Sequence, residues 1–158
     1  MAMTVAAEAL VLQRLYHSRR TPPGRIAVTQ PTSSGNVEEF TRRDIMDQTR
    51  RMAAHLQGLG YEPGTRIGIL AKNAAHWMMA DFAIWMAGYV SVPLYPTLAA
   101  GTIRQILEHS EAKLLFVGKL AGWDEMQPGV PSGLPRIRLP MSAASDGPGW
   151  DEIVGRTE

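Results

Sequence analysis

Apolar and polar positions change period several times along this chain, and each change marks an element. Leu10, Leu12, Leu15 and Tyr16 predict a short opening helix, ended by Thr21-Pro22-Pro23-Gly24. Ile26 and Val28 predict a strand over 25–30. Pro31 to Asn36 is turn-rich, so a hairpin to Val37–Phe40 follows. Thr41-Arg42-Arg43-Asp44 has the spacing of a capping box: the threonine oxygen accepts from an orphan amide and the acid reaches back to the cap. Behind it Ile45, Thr49, Met52, Ala53 and Leu56 recur at helical spacing, until Gly58 and Gly60 end the run.

The next stretch alternates short apolar runs with longer ones. Arg66–Leu70 predicts a buried strand. Asn73 opens an apolar helix over about 75–87 that is apolar on nearly every face and so is expected to be deeply buried. Tyr89–Pro93 predicts a second strand. Thr97 or Thr102 is placed to cap a helix carrying Ile103, Ile106 and Leu107, and Lys113–Val117 predicts a third strand. Strands alternating with helices imply a parallel sheet with right-handed crossovers. The expected class is α/β: a parallel β-sheet flanked by helices, with a βαβαβ unit. The whole chain, 1–158, reads as a single domain with a less regular tail over 119–158. In that tail Gln127–Pro135 and Ser142–Gly149 read as loops, Arg136–Leu139 as a further strand and Trp150–Val154 as the start of a helix. Asp124-Glu125 and Asp151-Glu152 fall in its weakly patterned segments, as solvated charges.

Trp77 to Leu94 approaches the length of a membrane span. Asp81 inside it would cost about 2.5–3.5 kcal/mol at a bilayer centre, and Gly88 and Pro93 break any continuous helix. A buried helix followed by a buried strand is the better reading, and no transmembrane segment is expected. The 158 residues carry a net charge of +1, which gives no reason to expect nucleic acid as a partner. The basic pairs Arg19-Arg20, Arg42-Arg43 and Arg50-Arg51 read as solvated. There is no cysteine, which excludes thiol chemistry and fits a reducing compartment; Glu8 interrupts the only N-terminal apolar run, so a cytoplasmic location is expected.

In an open parallel sheet, ligands bind beyond the carboxyl ends of strands. Three such ends offer Lys72 and Asn73, then Tyr95 and Thr97, then Lys119. Asn73, Tyr95 and Thr97 are the substrate-cleft candidates. An alternative reading stays open, in which Asn73 caps a helix, Pro96 stiffens a turn and the lysines are solvated. Gly118-Lys119 fails as a phosphate loop, because Lys113 stands where the first glycine belongs and Leu120 where Ser or Thr would bind magnesium. No Gly-x-Gly-x-x-Gly and no Gly-x-Ser-x-Gly occurs. His17, His55, His76 and His109 share no metal-ligand spacing, so no metal site is expected. Trp77, Met78, Met79, Phe82, Trp85 and Met86 read as core packing before they read as a ligand wall.

The run LGYEPGTRIGILAKNAAHW, then AGYVSVPLYPT, ILEHSEAKLLFVG and the late Trp150-Asp151-Glu152-Ile153, resembles the N-terminal segment of AMP-forming acyl-CoA synthetases, in the adenylate-forming superfamily. Within it, Val92–Thr97 and Ile106–Ser110 look most like the long-chain fatty acid CoA ligase branch. The resemblance implies the fold of that family's N-terminal subdomain and a parent enzyme using fatty acid, ATP, magnesium and coenzyme A. The acid would become an acyl-adenylate and then a thioester. The family's catalytic parts are a Ser/Thr/Gly-rich loop ending in Pro-Lys-Gly, a Thr-Glu motif, a ribose-binding aspartate and a late lysine. None occurs here, so no catalytic or cofactor-binding residue carries over, and the chain alone is expected to be inactive and to hold no cofactor. Two other readings stand beside this one. One is a stand-alone interaction or assembly module, which would self-associate or bind the missing remainder of the enzyme. The other is a piece of a fatty acyl-AMP ligase that passes acyl groups to a carrier protein.

Overall fold

The structure is a computed structural model that describes Ala6 and residues 10–17 and 22–158. The pair Arg19-Arg20 and the start of the Thr21–Gly24 turn lie outside the described residues. Helix α1 spans Val11–His17, and strands β1 (Ile26–Pro31) and β2 (Val37–Thr41) form an antiparallel hairpin. Thr41 then caps α2 (Arg42–Gly58) in a complete capping box. The Asp44 amide donates to Thr41 Oγ1 at 3.2 Å, and the Thr41 amide donates to Asp44 Oδ2 at 2.8 Å. The side chains that α2 buries are Ile45, Thr49, Met52, Ala53 and Leu56, the five marked by the helical period.

Strands β3 (Arg66–Leu70), β4 (Val90–Leu94), β5 (Leu114–Val117) and β6 (Arg136–Arg138) form one sheet in the order β4-β3-β5-β6, parallel throughout. Helix α3 (Ala75–Met86) links β3 to β4. The chain then reverses past β3 and reaches β5 through α4 (Ala100–His109). Because α3 and α4 lie on opposite faces, the reversal leaves both crossovers with one hand, as the twist of strands requires. Alternation in the strands builds two cores. Ile67, Ile69, Leu114, Phe116 and Ile137 face α2, α3 and α6 (Trp150–Arg156). Leu70, Leu94, Leu115 and Val117 face α4 and the short α5 (Trp123–Met126). Gly129, just after α5, is where the chain crosses the start of α4: a Cβ there would lie 2.1 Å from the Ala100 carbonyl oxygen.

Several local expectations need correction. Asn73 does not cap α3. The cap residue is Ala74, which offers no side chain, and the Ala75 amide instead donates to Gln30 Oε1 at 2.9 Å. Neither Thr97 nor Thr102 caps α4, because the extended residue before that helix is Ala99. Helix α3 is not buried all round: Ala75, His76, Met79, Ala80, Ala83 and Ile84 are buried, while Trp77, Met78, Phe82, Trp85 and Met86 are half-buried. The reason is position. β4 is an edge strand, so the helix flank beside it meets no neighbour; Pro93 is tolerated in β4 for the same reason, since no outer strand needs its amide. Asp124-Glu125 and Asp151-Glu152 sit in the first turns of α5 and α6, where they complement the helix dipole, and they are exposed. Among the described residues no helix is long and apolar enough to cross a membrane; 77–94 is α3 followed by β4.

Residues 119–158 contribute one strand of the sheet and two core helices. Trp150 is 1% exposed; its indole Nε1 donates to Gln48 Oε1 of α2 at 2.9 Å. Its ring meets His76 and Phe116 at centroid distances of 5.4 and 6.2 Å.

Candidate functional site

Parallel strands deliver their carboxyl ends to one edge, and the first residues beyond them form its surface. Beyond β3 and β4 that edge opens into a cleft of about 350 Å³ lined by Ala71, Asn73, Trp77, Pro93, Leu94, Tyr95 and Pro96. Asn73 and Tyr95, twenty-two positions apart, are thus brought to one cavity. Tyr95 is 76% exposed, and Trp77 supplies an aromatic wall from the first turn of α3. Thr97 is exposed in the turn that follows, closed by the Leu98 amide on the Tyr95 carbonyl at 3.3 Å, and does not line the cleft. The cleft is mainly apolar and aromatic, with the Asn73 carboxamide and the Tyr95 hydroxyl as its polar groups, which suits a flat or chain-like organic group.

Between β3 and β5 the edge is closed. The Gly118 amide donates to the Leu70 carbonyl at 3.0 Å, and the Lys72 amide to the Lys119 carbonyl at 2.9 Å, so the ladder runs past both strands. Gly118 is needed for this approach, since a Cβ there would stand 2.5 Å from Ala71 Cβ. Lys72 and Lys119 are consequently neighbours in the sheet, both exposed.

A triphosphate needs free amides converging on it, as in a nest or an open helix N-terminus. Here the Lys72 and Gly118 amides are used by the sheet, and the Ala75 amide by Gln30. Among the described residues no cluster of three or more acids and histidines is placed to hold a metal ion. The residues of these turns do not fit the triphosphate of ATP or its magnesium. Gln30 is the participant that sequence reasoning missed. It lies forty-five positions from Ala75, and only the docking of the hairpin against α3 relates them.

Two titratable groups flank the cleft's helix. His76 is enclosed by Phe40 and Trp150, whose rings meet it edge-on at 5.3 and 5.4 Å. Burial pushes its imidazole down to about 4, against a smaller opposing pull from Asp151. Asp81 lies on the half-covered flank of α3 with Oδ1 buried and unpartnered; burial holds its carboxyl above the usual range, and a hydrogen bond from Ser91 partly opposes this.

A four-stranded parallel sheet with helices on both faces and a cleft at its carboxyl edge defines an α/β domain. Its fold is that of the adenylate-forming enzymes. The crystal structure of the anthranilate CoA ligase AuaEII in complex with anthranoyl-AMP matches it with a TM-score of 0.74 at 19% identity, over 90% of this chain and 27% of that one. The chain belongs to the AMP-binding enzyme family, whose model matches residues 15–148. It is similar to the long-chain-fatty-acid–CoA ligase FadD15 of Mycobacterium bovis, with 29% identity over 145 residues, 92% of this chain and 24% of the relative. It is also similar to long chain acyl-CoA synthetase 1 of Arabidopsis thaliana, with 34% identity over 77 residues, 49% of this chain and 12% of the relative. The chain therefore spans at most about a quarter of the length of these curated relatives.

Proposed function

We propose that this chain forms part of a long-chain fatty acid CoA ligase and contributes one wall of its substrate cleft through Asn73 and Tyr95. The observation that carries this reading is a similarity to long-chain ligases over 92% of the chain, which includes the segments 71–77 and 93–96 from which the cleft is lined. The parent would use ATP, magnesium and coenzyme A, with adenylation converting a poor leaving group into a good one. In that reaction the residues seen here bind and orient the organic substrate. The phosphoryl chemistry falls to residues outside these 158, a reading supported by the Lys72, Gly118 and Ala75 amides at the sheet edge being used by the fold. A cytoplasmic location belongs to the same proposal and is supported by the absence of cysteine.

The test is to express the source reading frame extended past Glu158 beside the 158-residue chain. Pyrophosphate release and acyl-CoA formation are then measured with long-chain acids. The extended protein should release pyrophosphate only when both fatty acid and ATP are present, and the shorter chain should release none. Activity from the 158-residue chain alone would overturn the division of labour proposed here. Release of pyrophosphate without a CoA thioester would favour the acyl-AMP ligase reading, with transfer to a carrier protein.

A second reading, an interaction module, is favoured by the α3 flank, where Trp77, Met78, Phe82, Trp85 and Met86 are half-covered beside the edge strand β4. Such a face stabilises whatever covers it. Light scattering showing a strict monomer that binds no apolar dye would count against this reading.

A further inference from the structure

The ligase role makes no use of Asp81. It is the single acid between Lys72 and Arg104, a stretch that holds no arginine or lysine. It stands on α3 with its Oδ1 buried and without a hydrogen-bond partner. Among the described residues no arginine or lysine forms an ion pair with it. A carboxylate oxygen taken out of water with no donor is costly, and native folds hold few such atoms. Its place on the half-covered flank of α3 points to a donor that these 158 residues do not supply.

The surroundings define the kind of donor that fits. Trp77, Asp81 and Trp85 recur at every fourth position and so form one stripe along α3, bordered by Met78, Phe82 and Met86. All five apolar members are half-buried, and the Phe82 and Trp85 rings lie 6.0 Å apart between centroids. A relay from the edge strand fixes the carboxylate. Trp85 Nε1 donates to Ser91 Oγ at 3.0 Å, and the Ser91 hydroxyl donates to Asp81. Ser91 shares the α3 face of β4, because Val92 and Leu94 on either side of that alternation pack with α4. The relay leaves Oδ1 for an incoming group. A carboxylate between two indoles suits a guanidinium, whose plane stacks on aromatic faces while its N–H fork meets the acid.

Symmetry argues against a second copy as its source. An isologous contact sets this flank against itself, and the stretch 73–103 that forms it has no arginine or lysine to offer, only another Asp81. Length favours the rest of the enzyme, since the chain spans 24% of FadD15 and most of such a parent lies outside it. On the reading that the chain is part of a larger ligase, we propose that a segment of the parent outside these 158 residues covers the α3 flank and sets an arginine against Asp81, between Trp77 and Trp85. Asp81 then destabilises the chain alone and stabilises the whole enzyme, and it fixes where the covering segment docks.

The test compares the 158-residue chain with the protein expressed from the extended reading frame, each with and without Asp81→Asn. Hydrogen exchange over α3 and β4, read by mass spectrometry, reports local stability. Exchange there should be slower in the extended protein. Asp81→Asn should slow it about fivefold in the short chain and speed it about tenfold in the extended protein, where a charge-assisted hydrogen bond is lost. Phenylglyoxal, which modifies accessible arginines, should label one further arginine outside the 158 residues once Asp81 is replaced. An effect of the same sign in both proteins would overturn the proposal, as would no gain in arginine labelling or a flank that exchanges equally fast in both. So would slow exchange of the flank in the short chain accompanied by dimers in light scattering, which would make a second copy the occupant. Pyrophosphate release from the same samples judges the ligase role separately: its absence from the extended protein would count against that role, while the sign of the Asp81→Asn effect decides the contact.

Discussion

His76 makes the stability of this domain depend on pH in a way that can be calculated and checked. The ring is 3% exposed and lies between Phe40 and Trp150, whose rings meet it edge-on. Its ordinary value of 6.5 falls to about 4 in the fold, chiefly through burial. Between those two values the unfolded chain binds a proton that the folded chain refuses, so folding is fully favoured above pH 6.5 and loses stability as pH falls. At 1.36 kcal/mol per pH unit the loss reaches about 3 kcal/mol near pH 4 and then levels off. That is a large part of the total for a domain with about 5–15 kcal/mol to lose. The assay is urea unfolding, followed by tryptophan fluorescence, in steps from pH 7.5 to 3.5 on the parent and on His76→Phe. Phenylalanine keeps the edge-on ring contacts and removes the proton site. The parent midpoint should fall through this window and the variant's should fall much less. Asp44, held below its usual range by Thr41, loses stability at still lower pH in both proteins and so cancels in the comparison. Identical pH profiles for parent and variant would refute the reasoning.

Three further outcomes follow from contacts in the fold. Thr41→Ala removes the acceptor for the Asp44 amide and the partner of its carboxylate, and should cost about 1 kcal/mol, read as a lower midpoint in urea. Trp150→Ala should cost about 3–5 kcal/mol and leave the chain largely unfolded by circular dichroism, whereas Trp150→Phe, which orphans only Gln48 Oε1 and a little volume, should cost about 1–2 kcal/mol. Asp81→Asn should raise stability at pH 7 by about 1 kcal/mol, because it neutralises a carboxylate with a buried, unpartnered oxygen, and the gain should shrink toward pH 3 as the parent protonates.

Where the chain's own neighbours along the sequence decide a conformation, the sequence was legible. The α2 period named its five buried side chains, Thr41 and Asp44 named its start, and the apolar runs 66–70 and 113–117 named two central strands. The failures fall where a partner distant in sequence does the work. Asn73 looked like the cap of α3 because asparagine is a good cap, but the carboxamide that accepts the first helical amide is that of Gln30. Thr97 looked like part of the cleft because it follows Tyr95 closely, yet the turn carries it past the wall. The sequence rejected Gly118-Lys119 as a phosphate loop but carried no sign of its packing role, in which the absent side chain lets β5 close against Ala71.

The sequence by itself determined the kinds and order of the elements, the parallel α/β class and the family, because periodicity, capping and turn chemistry act over a few residues and survive without knowledge of the rest. It also held the resemblance to long-chain ligases, which rests on ordered motifs. Only the tertiary structure decided which strand is an edge, and with it that α3 keeps a half-covered flank. Only it placed Asn73 and Tyr95 in one cleft, committed the Lys72, Gly118 and Ala75 amides to the fold, and gathered Arg42, Arg43 and Arg50 around another cleft. Each of those depends on register and on which surfaces pack together. These are set by contacts between residues tens of positions apart, for which a single sequence carries no local signal.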